Sequence, residues 1–169
     1  GSVGELEGPQ REVTDILRSN GLKLQQLIEN LLSFSAWQTK SEVLTLSDFA
    51  LRAQVIAVAK AQRLALKAAH IQLKLEVEDI IVNADQDKIR TVIDNLLSNA
   101  IKFTQHGRID IHLAKSKKEV KLSIKDTGVG ISPHFLPHLF DEFKQENMGV
   151  SRPYEGAGLG LSVTRQLVE

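Results

Sequence analysis

The chain contains no cysteine. That excludes a disulfide framework, a thiolate zinc site and a cysteine nucleophile, and it fits a cytoplasmic setting. An excess of either charge is also missing. Lys+Arg and Asp+Glu both number 21 among 169 residues, so the net charge is zero. A nucleic-acid partner held by bulk charge is therefore not expected. No uninterrupted apolar run reaches the roughly 18 residues a membrane helix needs, and no signal peptide is visible. No membrane contact is expected from this stretch of sequence. What remains, 42% hydrophobic and 25% charged, is globular composition, enough for one domain and a short extra element.

Glycine is placed unevenly. Gly156, Gly158 and Gly160 alternate in Gly-Ala-Gly-Leu-Gly-Leu161, followed by the apolar run Leu161 to Val168, which reads as a helix. Glycines feeding a helix N-terminus let backbone N–H groups press against an anion, most often phosphate. A flexible loop is the plainer alternative. Upstream lies Asp126-Thr-Gly128-Val-Gly130, after a strand-like run. A carboxylate there can accept a hydrogen bond from an exocyclic amine such as adenine's, and the glycines let backbone approach the base. An ordinary turn has the same composition. An aspartic-protease reading of Asp-Thr-Gly fails for want of a second paired aspartate. Further upstream, Asn95, Asn99 and Lys102 are spaced i, i+4, i+7 and share one helical face. Amides and an ammonium so aligned suit hydrated Mg²⁺ and phosphate oxygens, while a solvated polar face is the alternative. A nucleoside triphosphate with a metal accounts for all three segments together. The Gly-Lys-Ser/Thr signature of a P-loop is absent.

Between these motifs the periodicity suggests two regions. From Pro9 to Thr39 the residues Val13, Leu17, Asn20, Leu24, Leu27, Leu31 and Phe34 form an a/d seam, widened by Ile16, Ile28 and Leu32, so a long helix seeking bundle partners is expected. Val43 to Leu46 reads as a link or edge strand, and Phe49 to about Ala69 as a helix. Ile71 to Val77 alternates as a half-buried strand, and Ile80-Ile81-Val82 forms a second short one. Asp85 is the expected N-cap of a helix to about Phe103. Ile109 to Leu113 and Val120 to Ile124 predict a hairpin. Pro133 to Leu139 is a short helix at best, and Asp141 to Glu155 a polar loop. Phe140 and Phe143 are expected in the core or at the hinge of that loop. The predicted class is α+β, a two-layer sandwich with a mixed, mostly antiparallel sheet, preceded by one long helix.

In this order the pieces resemble the catalytic and ATP-binding domain of sensor histidine kinases, within the ATPase class that includes gyrase, mismatch-repair proteins and heat-shock chaperones. The resemblance runs from about Val43 to the end. It makes Asn95 to Lys102 the N box, Asp126 with Gly128 and Gly130 the first glycine box, Phe140 and Phe143 the F box, and Gly156, Gly158 and Gly160 the second glycine box. It implies that Asn99 ligates Mg²⁺, Lys102 touches phosphate, Phe103 lies against adenine and Asp126 binds its amine. Gly156 to Gly160 with Leu161 would cradle phosphate at the end of an ATP lid, Asp141 to Glu155, and Arg152 in that lid would contact phosphate. Asn95 and Lys102 are the residues assigned to the chemistry. Where gyrase-type ATPases place a water-activating glutamate, this chain has Asn95, which cannot act as a general base, so phosphoryl transfer is favoured over hydrolysis.

The resemblance divides the chain into residues 1–40, part of a dimerisation and histidine-phosphotransfer hairpin (its second helix only), and residues 41–169, the ATP-binding domain. It implies ATP and Mg²⁺ as ligands, a response regulator receiver domain as partner, and a second copy of the chain paired through the helix bundle. The phosphoacceptor box is absent. His70, His106, His112, His134 and His138 all lie elsewhere and none precedes Glu or Asp. A metal on His134 and His138 is not expected, given Pro137 between them and no acidic neighbour. The family also continues past a position like Glu169 into further strands, so a C-terminally truncated sheet is expected. The alternatives are a gyrase- or chaperone-type ATPase, a serine-kinase anti-sigma factor, which shares the boxes but for which the long N-terminal helix argues against, and an interaction module without nucleotide.

Overall fold

The computed structural model describes residues 43–117, 119–146 and 158–169, together with residues 8, 10–18, 20, 21, 24, 25 and 28. Two units separate, Gly1–Glu42 and Val43–Glu169. In the first, every described residue has helical backbone. Val13, Ile16, Leu17, Leu24 and Ile28 are exposed there. The other expected seam residues Leu27, Leu31 and Phe34 lie outside the described residues.

The second unit runs β1 (Leu46–Ala50), α1 (Leu51–Ala61), α2 (Arg63–Ala68), β2 (Ile71–Val77), β3 (Ile81–Asp85), α3 (Gln86–Phe103), β4 (Gly107–Lys115), β5 (Val120–Asp126), a 3₁₀ turn (Leu136–His138) and α4 (Gly160–Val168). β1 and β3 pair antiparallel, with Phe49 opposite Val82. A second sheet has the order β2-β4-β5. Its β4–β5 pair is the expected antiparallel hairpin, Ile111 opposite Ile124. β2 and β4 run parallel, Leu73 opposite Ile109. A parallel neighbour needs a long crossover, and β3 with α3 supplies it.

Alternation on β4 sends Ile109, Ile111 and Leu113 into the core, where they are at most 1% exposed. The helical period of α3 brings Ile93, Leu97 and Ala100 down onto them, and α1 adds Val55 and Val58. Each such fully buried Leu, Ile or Val contributes about 1.5–3 kcal/mol.

Two expected boundaries shift. The first strand begins at Leu46 rather than Val43, and Phe49 belongs to it instead of to the helix. Alternation puts Phe49 on the core face beside Val82. The expected helix to Ala69 is two helices broken at Gln62. No proline or glycine marks the break. Gln62 leaves helical geometry at φ −82°, ψ 3°, and its Nε2 donates to Asp94 Oδ1 on α3 at 2.8 Å. A tertiary hydrogen bond outweighs local propensity here.

Asp85 caps α3 as expected. Its Oδ1 accepts from the N–H of Asp87 and Lys88, and Oδ2 accepts from Thr45 N at 2.9 Å. The Thr45 N–H, then those of Lys88 and Asp87, hold the Asp85 carboxyl below its ordinary pKa of 3.8, against an opposing effect of burial. A depressed folded-state pKa gives stability that is present above the unfolded value and lost as pH falls through the folded one. Asp85→Ala should therefore cost about 1–2 kcal/mol at neutral pH. Urea denaturation should show that gap shrinking as pH drops below 3.8; a gap independent of pH would refute the charge linkage.

Candidate functional site

Helix α3 carries its apolar stripe on one side and Asn95, Asn99 and Lys102, all half-buried, on the other. Asn95 Nδ2 donates to the carbonyl oxygen of Gly160, the first residue of α4, at 3.3 Å. This bond joins the asparagine segment directly to the late glycine segment. Asn99 follows one turn on. Among the described residues its amide has no hydrogen-bond partner, so its oxygen is available to a ligand. Lys102 Nζ lies 4.7 Å from the centroid of the Phe103 ring, a cation–π contact that settles the ammonium at the end of the helix.

The far end of α3 meets the first glycine segment. Phe103 O accepts from Val129 N at 3.2 Å. Asp126 closes β5, is exposed, and folds one oxygen back: Oδ1 accepts from Gly128 N at 2.8 Å. The other carboxylate oxygen faces no partner among the described residues, which suits an incoming amine. Thr127 N donates to Arg108 O, and Thr127 Oγ1 accepts from Arg108 N, which pins the turn to β4. Gly128 sits so close to α3 that a Cβ there would stand 2.3 Å from Phe103 O. Gly130 continues the turn, exposed. From Asn95 to Phe103 the helix spans about 12 Å at 1.5 Å per residue, with one glycine segment docked at each end.

The second glycine segment also meets the phenylalanine segment. Phe143 N donates to Gly158 O at 3.1 Å. Both residues take left-handed backbone, Phe143 at φ 60° and Gly158 at φ 70°. For phenylalanine that conformation carries strain, which this pairing helps to hold. Gly158 is required on two counts, because a Cβ would also lie 2.9 Å from Lys144 O. Phe140 and Phe143 are not core residues, at 42% and 55% exposed. Phe140 lies beneath the Arg165 guanidinium, 5.7 Å from the ring centroid. The expectation that no acid stands near His138 is also corrected. His138 Nδ1 lies 2.8 Å from Asp141 Oδ2, which Lys144 Nζ also reaches at 2.8 Å. Lys144 and then His138 hold the Asp141 carboxyl below the usual range. Among the described residues no three His, Asp or Glu side chains cluster as a metal site.

Arg152 and Gly156 lie outside the described residues, as do positions 147–155 of the expected lid. Two contributors escaped the sequence reading. One is the Phe103 carbonyl, a backbone group that no side-chain pattern advertises. The other is Thr164, buried on α4, whose Oγ1 donates to Gly160 O at 2.8 Å beside Asn95. Among the described residues no helix is long and apolar enough to cross a membrane.

Residues 84–169 match the family described as histidine kinase-, DNA gyrase B- and HSP90-like ATPase. The signal transduction histidine-protein kinase BarA of Escherichia coli K12 is 31% identical over 176 residues, covering 97% of this chain and 19% of that protein. The circadian input-output histidine kinase CikA of Thermosynechococcus vestitus is 34% identical over 173 residues, covering 99% of this chain and 24% of that protein. The sensory/regulatory protein RpfC of Xanthomonas campestris is 29% identical over 173 residues and is likewise covered to 24%. The chain thus spans a quarter or less of the length of these relatives. Among solved structures, full-length ShkA in complex with AMPPNP aligns at a TM-score of 0.80 with 25% identity, over 97% of this chain and 34% of that one. The nucleotide-free catalytic domain of histidine kinase ThkA aligns at 0.65 with 27% identity, over 73% of this chain and 80% of that one. Motif order, the convergence of the glycine segments on α3 and these likenesses agree: the chain belongs to the histidine kinase-, DNA gyrase B- and HSP90-like ATPase family, and within it carries the ATP-binding catalytic domain of a sensor histidine kinase.

Proposed function

We propose that this domain binds Mg²⁺–ATP along α3 and presents the γ-phosphoryl group to a histidine that this sequence does not itself supply. The observation that carries the reading is the pair of backbone anchorages on one helix, Gly160 O held by Asn95 and Phe103 O held by Val129. Asp126 would accept the adenine amine through its second oxygen while Gly128 N keeps the first oriented. Phe103 would flank the base, with Gly128 and Gly130 letting backbone approach it. Lys102 would meet phosphate, and Gly156, Gly158, Gly160 and Leu161 would lead the phosphates to the N-terminal end of α4, where its first N–H groups lie. Arg152 would add a cation.

The donors fit a magnesium ion. Asn99 offers a hard amide oxygen with no competing partner among the described residues, on the same face as Asn95 and Lys102. Held there, Mg²⁺ would neutralise phosphate charge. The chain's own contribution is positioning and electrostatic stabilisation. Asn95 has no basic lone pair to activate water, and its amide is occupied by Gly160 O. That favours holding ATP for a protein nucleophile over the hydrolysis of a gyrase-type enzyme.

Residues 1–40 are read as the second helix of a dimerisation hairpin, and 41–169 as the catalytic domain. The exposed apolar residues Val13, Ile16, Leu17, Leu24 and Ile28 are what a bundle partner, a second copy of the chain, would cover. ThkA's complex with the response regulator TrrA supports a receiver domain as the downstream partner here too. The setting would be the cytoplasmic portion of a sensor.

With ATP at about a hundredfold excess over Kd and Mg²⁺ present, the melting temperature should rise by about 5–10 °C. Chelating the metal should remove most of that rise, and labelled ATP should leave no phosphohistidine on the chain. A melting temperature indifferent to Mg²⁺–ATP would overturn the proposal.

A further inference from the structure

We infer that Asn95, Gly160 and Thr164 form a positioning clamp that sets the N-terminus of α4 against the metal-bearing face of α3, so that it governs phosphate binding and not adenine binding. The inference rests on the nucleotide site proposed above. Gly160 O receives two side-chain donors, Thr164 Oγ1 from its own helix at 2.8 Å and Asn95 Nδ2 from α3 at 3.3 Å. A buried threonine commonly returns its hydroxyl to the carbonyl four residues back, and doing so bends the helix slightly. On its own that would be ordinary. The second donor arrives from 65 residues away in sequence and bridges the two helices that carry the phosphate-facing glycine and the metal amide.

A Cβ at Gly160 would meet the Asn95 amide only at 3.8 Å, an ordinary contact, so the approach is set by the hydrogen bond to the Gly160 carbonyl and does not depend on the missing side chain. Thr164 is 7% exposed, and among the described residues its hydroxyl bonds Gly160 O alone, so it acts through that carbonyl. Asn99 follows Asn95 by one turn on the same face. A shift of α4 relative to Asn95 would therefore change the separation between the first N–H groups of α4 and the metal ligand. The adenine end, built on Phe103 O, Asp126 and Gly128 N, lies two helical turns away and shares none of these bonds.

The test compares Mg²⁺–ATP with free adenosine, by calorimetry for the first and NMR titration for the second, on the parent chain and on Thr164→Val, Asn95→Leu and the double variant. Thr164→Val should weaken Mg²⁺–ATP about 3–10-fold, the range of one buried hydrogen bond, and leave adenosine within about twofold. Thr164→Ser should restore parental binding. Because both donors act on one carbonyl, the double variant should lose less than the product of the single losses. Equal weakening of ATP and adenosine would reduce Thr164 to a folding role and overturn the inference, as would unchanged ATP affinity. A parent chain that binds adenosine but not ATP, or neither, would sink the nucleotide reading beneath it, an outcome visible before any variant is made.

Discussion

Asn99→Ala should lower the affinity for ATP by at least about a hundredfold when Mg²⁺ is present, because changes one shell further from a metal already cost about 10–100-fold. Little of that effect should remain in chelator. The fold should not suffer. Asn99 lies on the polar face of α3, away from Ile93, Leu97 and Ala100, and its amide has no partner among the described residues to be left unsatisfied. Alanine also has the higher helix propensity, so stability should hold or rise by about 0.5 kcal/mol. Calorimetric titration with and without the metal, beside a thermal scan, separates these effects. Parental Mg²⁺–ATP binding in the variant would remove Asn99 from the metal site. The comparison with Asn95→Leu is instructive. Both residues are amides on one helical face, yet Asn95 already has a partner in Gly160 O. Its loss should act through geometry, and that of Asn99 through a missing ligand.

Which of these features sequence could convey depends on how local they are. The cap at Asp85, the stripe of α3 and the alternation of β4 and β5 are set by residues within a few positions of one another, and all were legible. So was the order of the motif segments. The parallel pairing of β2 with β4 was not, since nothing in either strand's alternation specifies the direction of its neighbour. Nor was the break at Gln62, which depends on Asp94, 32 residues on. His70 closes α2 at φ 52°, a position where glycine would be the expected signal and none is present. Of the two places expected for Phe140 and Phe143, the core is ruled out by their exposure, and the Phe143 N–H meets Gly158 O beside the loop. At the candidate site, the sequence offers side chains but not their contacts. Gly160 O and Phe103 O are main-chain atoms that every residue possesses. Only the fold selects these two to receive Asn95 and Val129.

Gly128→Ala should be strongly damaging. The added carbon would lie 2.3 Å from Phe103 O, 2.8 Å from Phe103 C and 2.8 Å from Asp126 Oδ1. Two of these are main-chain atoms at the end of a packed helix and cannot swing aside. The turn itself must move. That breaks the bond from Val129 N to Phe103 O and the one from Gly128 N to Asp126 Oδ1, which together place the carboxylate. Overpacking of this kind costs about 1–3 kcal/mol, and losing the two bonds adds about 1 kcal/mol each. Adenosine binding should disappear along with the stability. Gly160→Ala is the control. Its methyl would meet only Asn95 side-chain atoms at 3.8 Å, an ordinary contact, and it would replace glycine in the first turn of α4. It should be neutral or stabilising by up to about 1 kcal/mol. Urea denaturation of the two variants ranks them. If Gly160→Ala proved the costlier, the closeness of the first glycine turn to Phe103 would not be what fixes the adenine end of the site. A glycine would then be required where its neighbours leave room, and a spacing-only reading of the motif would serve as well as the geometry.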